Sequence, residues 1–409
     1  MEKLFKLFFL AFSLSFGITL QEAEELAIKN FYDIKKNEEE VRKSQEEIYA
    51  TLSELLPQVD LSYSFLFAKK QEVSVNTPLF STGFTLTEDN FYRLNFLITQ
   101  NLVNLTTLNK LKVAKTQKEL KIKELELVKN AVRYKVREAY INALKLKATA
   151  EVLEKQVKRL EEHYRNVELL YKEGYVAFKD LLETKVRLYE VKNNLSQARA
   201  NYEKSLDVLS FFTGKEVKEV EEIKEIPEVE SIDLSESPKL KVLKTAIRLS
   251  QDYVSLVSSL FYPVVDFSVL YQRTNESPSL PKDRYFISLN LRWNLFSGGR
   301  RVFELRKAQK DVEVARLEYL KEEELLKTTV KGILRDIKVL QEEIETAKLR
   351  IKEAEEHYRL AVEKYKNGLG NNAEVLDAEA YLTSAEQELK VKTYDLILAK
   401  FKLLEVVGR

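Results

Sequence analysis

Two histidines, no cysteine and a single methionine leave this 409-residue chain little with which to do covalent chemistry. His163 and His357 are its only imidazoles, and each sits in a Glu-Glu-His-Tyr-Arg stretch with no second histidine beside it. A zinc or iron centre needs several such donors at fixed spacing, so a solvated helix face is expected for both histidines. No nucleophile–base arrangement and no phosphate-cradling glycine loop is present. The absence of cysteine excludes disulfides, thiolate ligands and an acylated cysteine. Neither an enzyme, a cofactor nor a bound metal is therefore expected. Glu374 and Asp377 lie three residues apart in the first turn of a predicted helix, where negative charge is favourable in any case. Charged residues make up 32% of the chain but nearly cancel, at +1, so no nucleic-acid partner is expected.

The elements that must position these groups are mostly helical. From Val132 to Tyr171 apolar residues recur in alternating steps of four and three, the heptad seam of a left-handed coiled coil. An offset of 194 residues leads to the same seam from Leu326 to Tyr365, with every position again apolar or tyrosine. A repeat of this regularity predicts a two-fold duplicated protomer. Residues 1–17 read as a signal peptide, because Lys3 and Lys6 precede the apolar run Leu7–Phe16 and Ser15-Phe16-Gly17 offers a cleavage site.

The first repeat spans 18–214. It reads as a helix from Leu20 to Leu56 closed by Pro57, strands at about 58–68 and 91–102, a long helix over 104–171 and a helix over 180–213. A polar loop with Pro78 and Gly83 joins the two strands. The long helix would measure about 100 Å at 1.5 Å per residue. Residues 215–237 are charge-rich, contain Pro227 and carry no apolar stripe, which predicts an irregular connection. The second repeat, 238–409, follows the same programme: a helix, strands at about 264–273 and 285–295, a long helix over 300–365 and a last helix over 374–407.

Each strand alternates an apolar, aromatic-rich face with a polar one. Nine to eleven residues, tilted, are enough to span a bilayer core, and membrane barrels alternate apolar-out and polar-in. A soluble sheet packed on a helix is the other solution, but the helices are already committed to a coiled coil. Four strands cannot close a barrel, since the smallest have about eight. Three protomers would supply twelve. In that arrangement Asp60, Asn95, Asn101, Asp266, Asn290 and Arg292 line the pore. The competing expectation is a secreted coiled-coil structural or adhesion protein with a soluble β-cap.

From Leu20 to Arg409 the sequence resembles the TolC-like outer-membrane efflux proteins. The resemblance rests on the duplication and on four local patterns in fixed order. Pro-x-Val-Asp-[Leu/Phe]-Ser opens the first strand of each half, and Asn-Leu-Phe-Ser-Gly-Gly (294–299) joins strand to long helix. Tyr-Lys-x-Gly stands at Tyr171–Gly174 and at Tyr365–Gly368. Glu374-Val375-Leu376-Asp377-Ala378 has Asp180-Leu181-Leu182-Glu183 as its counterpart.

The resemblance implies a mainly α homotrimer with a twelve-stranded transmembrane β-barrel in the outer membrane and a long α-helical coiled-coil barrel in the periplasm. Residues 215–237 would contribute to an equatorial belt. It further implies an exit duct for efflux or type I secretion, working with a periplasmic adaptor (membrane fusion) protein and an inner-membrane pump of RND, ABC or MFS type, in contact with outer-membrane lipid. Tyr171, Gly174, Asp180, Tyr365 and Gly368 match positions of tip closure and adaptor contact. Glu374 and Asp377 match an acidic ring at the periplasmic entrance. Some members place an arginine two residues after the second tip glycine, where this chain has Gly370, a departure from the family that leaves open whether the tip is closed at rest.

Overall fold

The computed structural model describes residues 17–223, 232–278 and 280–408. The expected signal peptide, apart from Gly17, and residues 224–231 of the connection fall outside that set. The described chain forms two compact units. One comprises residues 17–38, 124–241 and 321–408, and the other residues 39–123 and 242–320.

The first unit is helical, and residues 39–53, 105–123, 242–259 and 300–320 of the second are helical too. Helix α1, Leu20–Asn30, starts with a capping box in which Thr19 and Glu22 satisfy each other's backbone amides. The single helix expected from Leu20 to Leu56 is instead two, because the backbone becomes extended at Phe31 (ψ 134°) before α2, Tyr32–Ser53. A tertiary contact forces the break. Phe31 is buried against Phe211 and Phe212, with ring centroids 5.7 and 5.2 Å away, and the Asn30 side-chain amide donates to the Thr213 carbonyl at 2.8 Å. Helices α3 (Leu105–Lys172) and α4 (Phe178–Thr213) form one hairpin. After a short 3-10 turn, Leu234–Glu236, and α5 (Pro238–Ser259) come α6 (Arg300–Lys366) and α7 (Asn372–Val407), which form another hairpin.

Seam residues of α3, among them Val132, Val136, Ala143, Val157, Leu160 and Val167, are buried, as heptad positions require. The Tyr140 hydroxyl donates to the Glu221 carbonyl at 2.7 Å and lies 2.8 Å from the Ile18 carbonyl. It thereby joins α3 to the parallel bridge between Ile18 and Val220.

The second unit is built on an antiparallel sheet in the order β1-β4-β5-β6, with β1 Gln58–Leu66, β4 Phe91–Val103, β5 Val264–Thr274 and β6 Asp283–Arg292. The first and last strands end at Leu66 and Arg292, short of the expected 68 and 295. The expected polar loop between the first two strands is itself folded: β2, Gln71–Asn76, pairs with β3, Ser81–Thr87. This outer hairpin keeps the register of the strands it extends, with Leu66 opposite Phe91 and Glu72 opposite Thr85. Val73-Ser74-Val75 and Phe84-Thr85-Leu86 alternate as strands do, and Pro78 lies in the turn between them rather than inside a ladder.

Candidate functional site

All six residues expected to line a pore share one face of the sheet. Strand register places Asn95 beside Ser62 and Gln272, and Asn101 beside Asp266, which is opposite Asn290. Asp60 and Arg292 have the parity of that face. Its rows are joined by hydrogen bonds: Gln272 donates to Asn95 at 2.9 Å, Ser268 and Ser288 lie 2.7 Å apart, and the Asn290 amide donates to Asp266 at 2.9 Å. The Arg292 guanidinium pairs with Asp266 at 3.0 Å. Asp266 is therefore buried and neutralised within its own chain rather than presenting a free charge.

The opposite face is apolar and uncovered. Leu61, Tyr63, Ile287, Leu289 and Leu291 are each about two-thirds exposed or more. A water-soluble sheet would bury such a face. Among the described residues, no helix is long and apolar enough to cross a membrane.

At the tips, the other candidate region, the two helical hairpins turn in the same way. Gly174 (φ +78°) donates its N–H to the Tyr171 carbonyl at 3.0 Å, and Tyr175 donates to Leu170 at 2.8 Å. Gly368 (φ +70°) and Leu369 repeat both bonds, to Tyr365 at 3.0 Å and Lys364 at 2.9 Å. This is the Schellman arrangement, and its left-handed residue explains why glycine stands at both tips.

The two tip tyrosines differ in surroundings. Tyr171 is partly exposed and packs on Phe178, whereas Tyr365 is buried against His163 with ring centroids 5.4 Å apart. Burial, aided by the nearby Asp180 carboxylate, pushes the Tyr365 phenol up to about 12, and its hydroxyl has no hydrogen-bond partner among the described residues.

His163 overturns the expectation of a solvated histidine; only His357 is exposed. The His163 side chain is buried, and its Nε2 lies 2.8 Å from Asn372 Oδ1. An amide oxygen only accepts, so Nε2 carries the proton. Asn372 in turn donates to the Asp180 carbonyl at 3.3 Å and lies 3.1 Å from the Thr184 hydroxyl. Tyr365, His163, Thr184 and Asn372 are thus buried together, with the half-buried Asp180 beside them, and the cluster draws on all four helices of the two hairpins near their tips. Burial holds the imidazole below its ordinary range, the Asn372 bond opposes that, and Lys366 adds to it.

A turn further on, Glu379 is almost fully buried and accepts from Gln156 at 2.7 Å, Arg159 at 3.1 Å and Thr383 at 3.0 Å. Arg159 also binds Glu386 at 3.2 Å. Sequence reading missed this network. Its one visible signal is charged residues at helical spacing on otherwise seam-forming helices.

Glu374 and Asp377 lie apart from the cluster, exposed on α7. The Glu374 amide donates to the N-capping Asn371 at 2.8 Å, and the Asn371 side chain donates back to the Glu374 carboxylate at 3.0 Å. Among the described residues no group of three or more metal-ligating side chains is present.

A four-stranded sheet with one polar and one bare apolar face, together with paired coiled-coil hairpins, is the make-up of an outer-membrane channel of the efflux type. The chain belongs to the outer membrane efflux protein family, which it matches over residues 24–215 and 231–409. No curated protein sequence matches it. Solved structures share its fold at low identity. The outer-membrane channel OprN is 16% identical with a TM-score of 0.78, over 95% of this chain and 89% of that one. CusC is 13% identical with a TM-score of 0.81, over 97% and 96%. VceC from Vibrio cholerae is 15% identical with a TM-score of 0.76, over 95% and 96%. The protein is an outer-membrane channel for efflux.

Proposed function

We propose that three copies of this duplicated chain close one twelve-stranded barrel and continue into a periplasmic helical tunnel that opens at the Gly174 and Gly368 tips. The duct is passive. A periplasmic adaptor and an inner-membrane pump of RND, ABC or MFS type supply the energy and most of the selectivity. The observation that carries this reading is the sheet's two free edges. Among the described residues β1 and β6 each have one unpaired side, beside an apolar face suited to lipid. Edge-to-edge pairing with two further copies removes every free edge, as a membrane barrel requires.

The test uses the absence of native cysteine. Tyr175 and Leu369 are highly exposed at the two tips, so Tyr175→Cys/Leu369→Cys gives unique handles for a bifunctional thiol reagent whose spacer contains a reducible disulfide. Cross-linking neighbouring tips should abolish export while the protein still migrates as a trimer from the outer-membrane fraction, and reduction should restore it. Export undiminished after complete cross-linking, or a soluble monomer on fractionation, would overturn the reading.

Glu374 and Asp377 would gather as six carboxylates at the tunnel entrance, an arrangement that attracts cations. The variant Glu374→Gln/Asp377→Asn keeps hydrogen-bonding side chains at the helix start while removing the charge. In planar bilayers it should lose most of its cation preference and its block by trivalent cations. Unchanged selectivity and block would leave these acids as helix-start residues only.

A further inference from the structure

The polar face of the sheet is interrupted by one apolar row. Asp60 stands opposite Leu97, Leu97 opposite Leu270, and Leu270 opposite Phe286. All four have the parity of Asn95 and Asn290, so they project from the same face as the hydrophilic residues. The row toward the outer end reads Ser62, Asn95, Gln272 and Arg284, and the row on the other side Gln58, Thr99, Ser268 and Ser288. Both flanking rows are hydrophilic throughout, and both contain cross-strand hydrogen bonds. Leu97 and Leu270 are partly exposed, and Phe286 is about half exposed.

Three neighbouring apolar side chains on an otherwise hydrophilic face offer an apolar visitor a surface to contact. The row also ends in a charge. Asp60 is exposed, and its carboxylate makes no hydrogen bond or ion pair among the described residues. By contrast, the acid two rows away, Asp266, is bound by Arg292 and Asn290. Strands lie about 4.8 Å apart, so the row presents roughly 14 Å of apolar contact leading to a free carboxylate.

We propose that Asp60, Leu97, Leu270 and Phe286 form a collar that binds lipophilic cations, molecules joining an aromatic or alkyl body to a single positive charge. This rests on the barrel reading, in which the polar face lines the lumen. The carboxylate selects the sign of charge, and the apolar side chains hold the body of the molecule while it passes. A small hydrophilic cation meets the same charge without the apolar contact and does not dwell.

The test again starts from a cysteine-free protein. Ser62→Cys lies two residues from Asp60 on the same face, and the purified protein in lipid vesicles is labelled with a neutral, membrane-impermeant maleimide. Labelling should proceed, and millimolar tetraphenylphosphonium should slow it about tenfold, whereas tetramethylammonium should not. Adding Asp60→Asn or Phe286→Ser, in protein that still migrates as an intact oligomer, should abolish the protection. If Ser62→Cys does not label, the polar face is not a water-filled lumen and the barrel reading fails with the collar. If it labels but tetraphenylphosphonium protects no better than tetramethylammonium, or protects both substituted proteins equally well, the collar alone is overturned.

Discussion

Replacing Arg159 by leucine should destabilise the helical unit by about 3–5 kcal/mol, the cost of leaving a buried charge without its partner. Glu379 is 1% exposed and holds three donors, of which Arg159 alone carries charge. Gln156 and Thr383 would remain to bond the carboxylate, but neutral donors do not offset the desolvation of an anion. Glu386, which also pairs with Arg159, is nearer the surface and can turn to water. The loss should therefore come almost wholly from Glu379.

A second substitution separates this account from simple loss of packing. With Glu379→Gln added, the site holds no charge, and the amide can still bond Gln156 and Thr383. The Arg159→Leu/Glu379→Gln protein should recover more than half of the lost stability, measured by thermal or denaturant unfolding of detergent-purified protein followed by circular dichroism. A double variant no more stable than Arg159→Leu would mean that the arginine acts through its packing rather than through the buried carboxylate.

That network also shows where sequence reading stops. The heptad seams are legible because burial in a coiled coil follows a local period, and Val136, Leu160 and Val167 are buried where the period puts them. The strands are legible for the same reason, their alternation being local. The break at Phe31 is not, since helix-forming residues flank it on both sides and only the contact with Phe211 and Phe212 turns the chain. The outer hairpin was obscured by Pro78 and Gly83, which read as loop residues although the pairs Val73–Val75 and Phe84–Leu86 keep the strand alternation.

Membership of the efflux family was readable from the order of weak patterns along the chain. The surroundings of His163 were not. A histidine beside a seam tyrosine is exposed or buried according to what the opposite hairpin brings, and here that is Asn372, 209 residues away. His357 stands in the same local sequence and is exposed. Local pattern thus predicted identical environments for two residues whose environments tertiary packing makes opposite.

This difference gives the tips an expected pH dependence. A base whose folded-state value lies below its ordinary 6.5 is bound less tightly by protons in the packed state than in an opened or unfolded one. Packing around His163 is therefore fully stable above about pH 6.5, and stability is lost as pH falls from there toward the depressed folded value. Each unit of that separation is worth about 1.4 kcal/mol. The groups around the imidazole do not offset the added charge. On its own helix it has Arg159 and Glu162, across from it Arg359, Tyr365 and Lys366, and beyond Asn372 the Asp180–Thr184 turn. Arg159 is already engaged with Glu379 and Glu386, and Lys366 opposes protonation.

Between pH 7.5 and 5.5, then, backbone amides of the Asp180–Thr184 turn and of the Asn372 helix start should lose hydrogen-exchange protection, after correction for intrinsic rates. If the tips gate the duct, unitary conductance in planar bilayers should rise over the same interval. His163→Gln retains a donor for Asn372 but cannot titrate, and should flatten both responses, while His357→Gln should leave them unchanged. A response that survives in His163→Gln would assign the acid sensitivity to another group and leave this histidine a neutral strut between the hairpins.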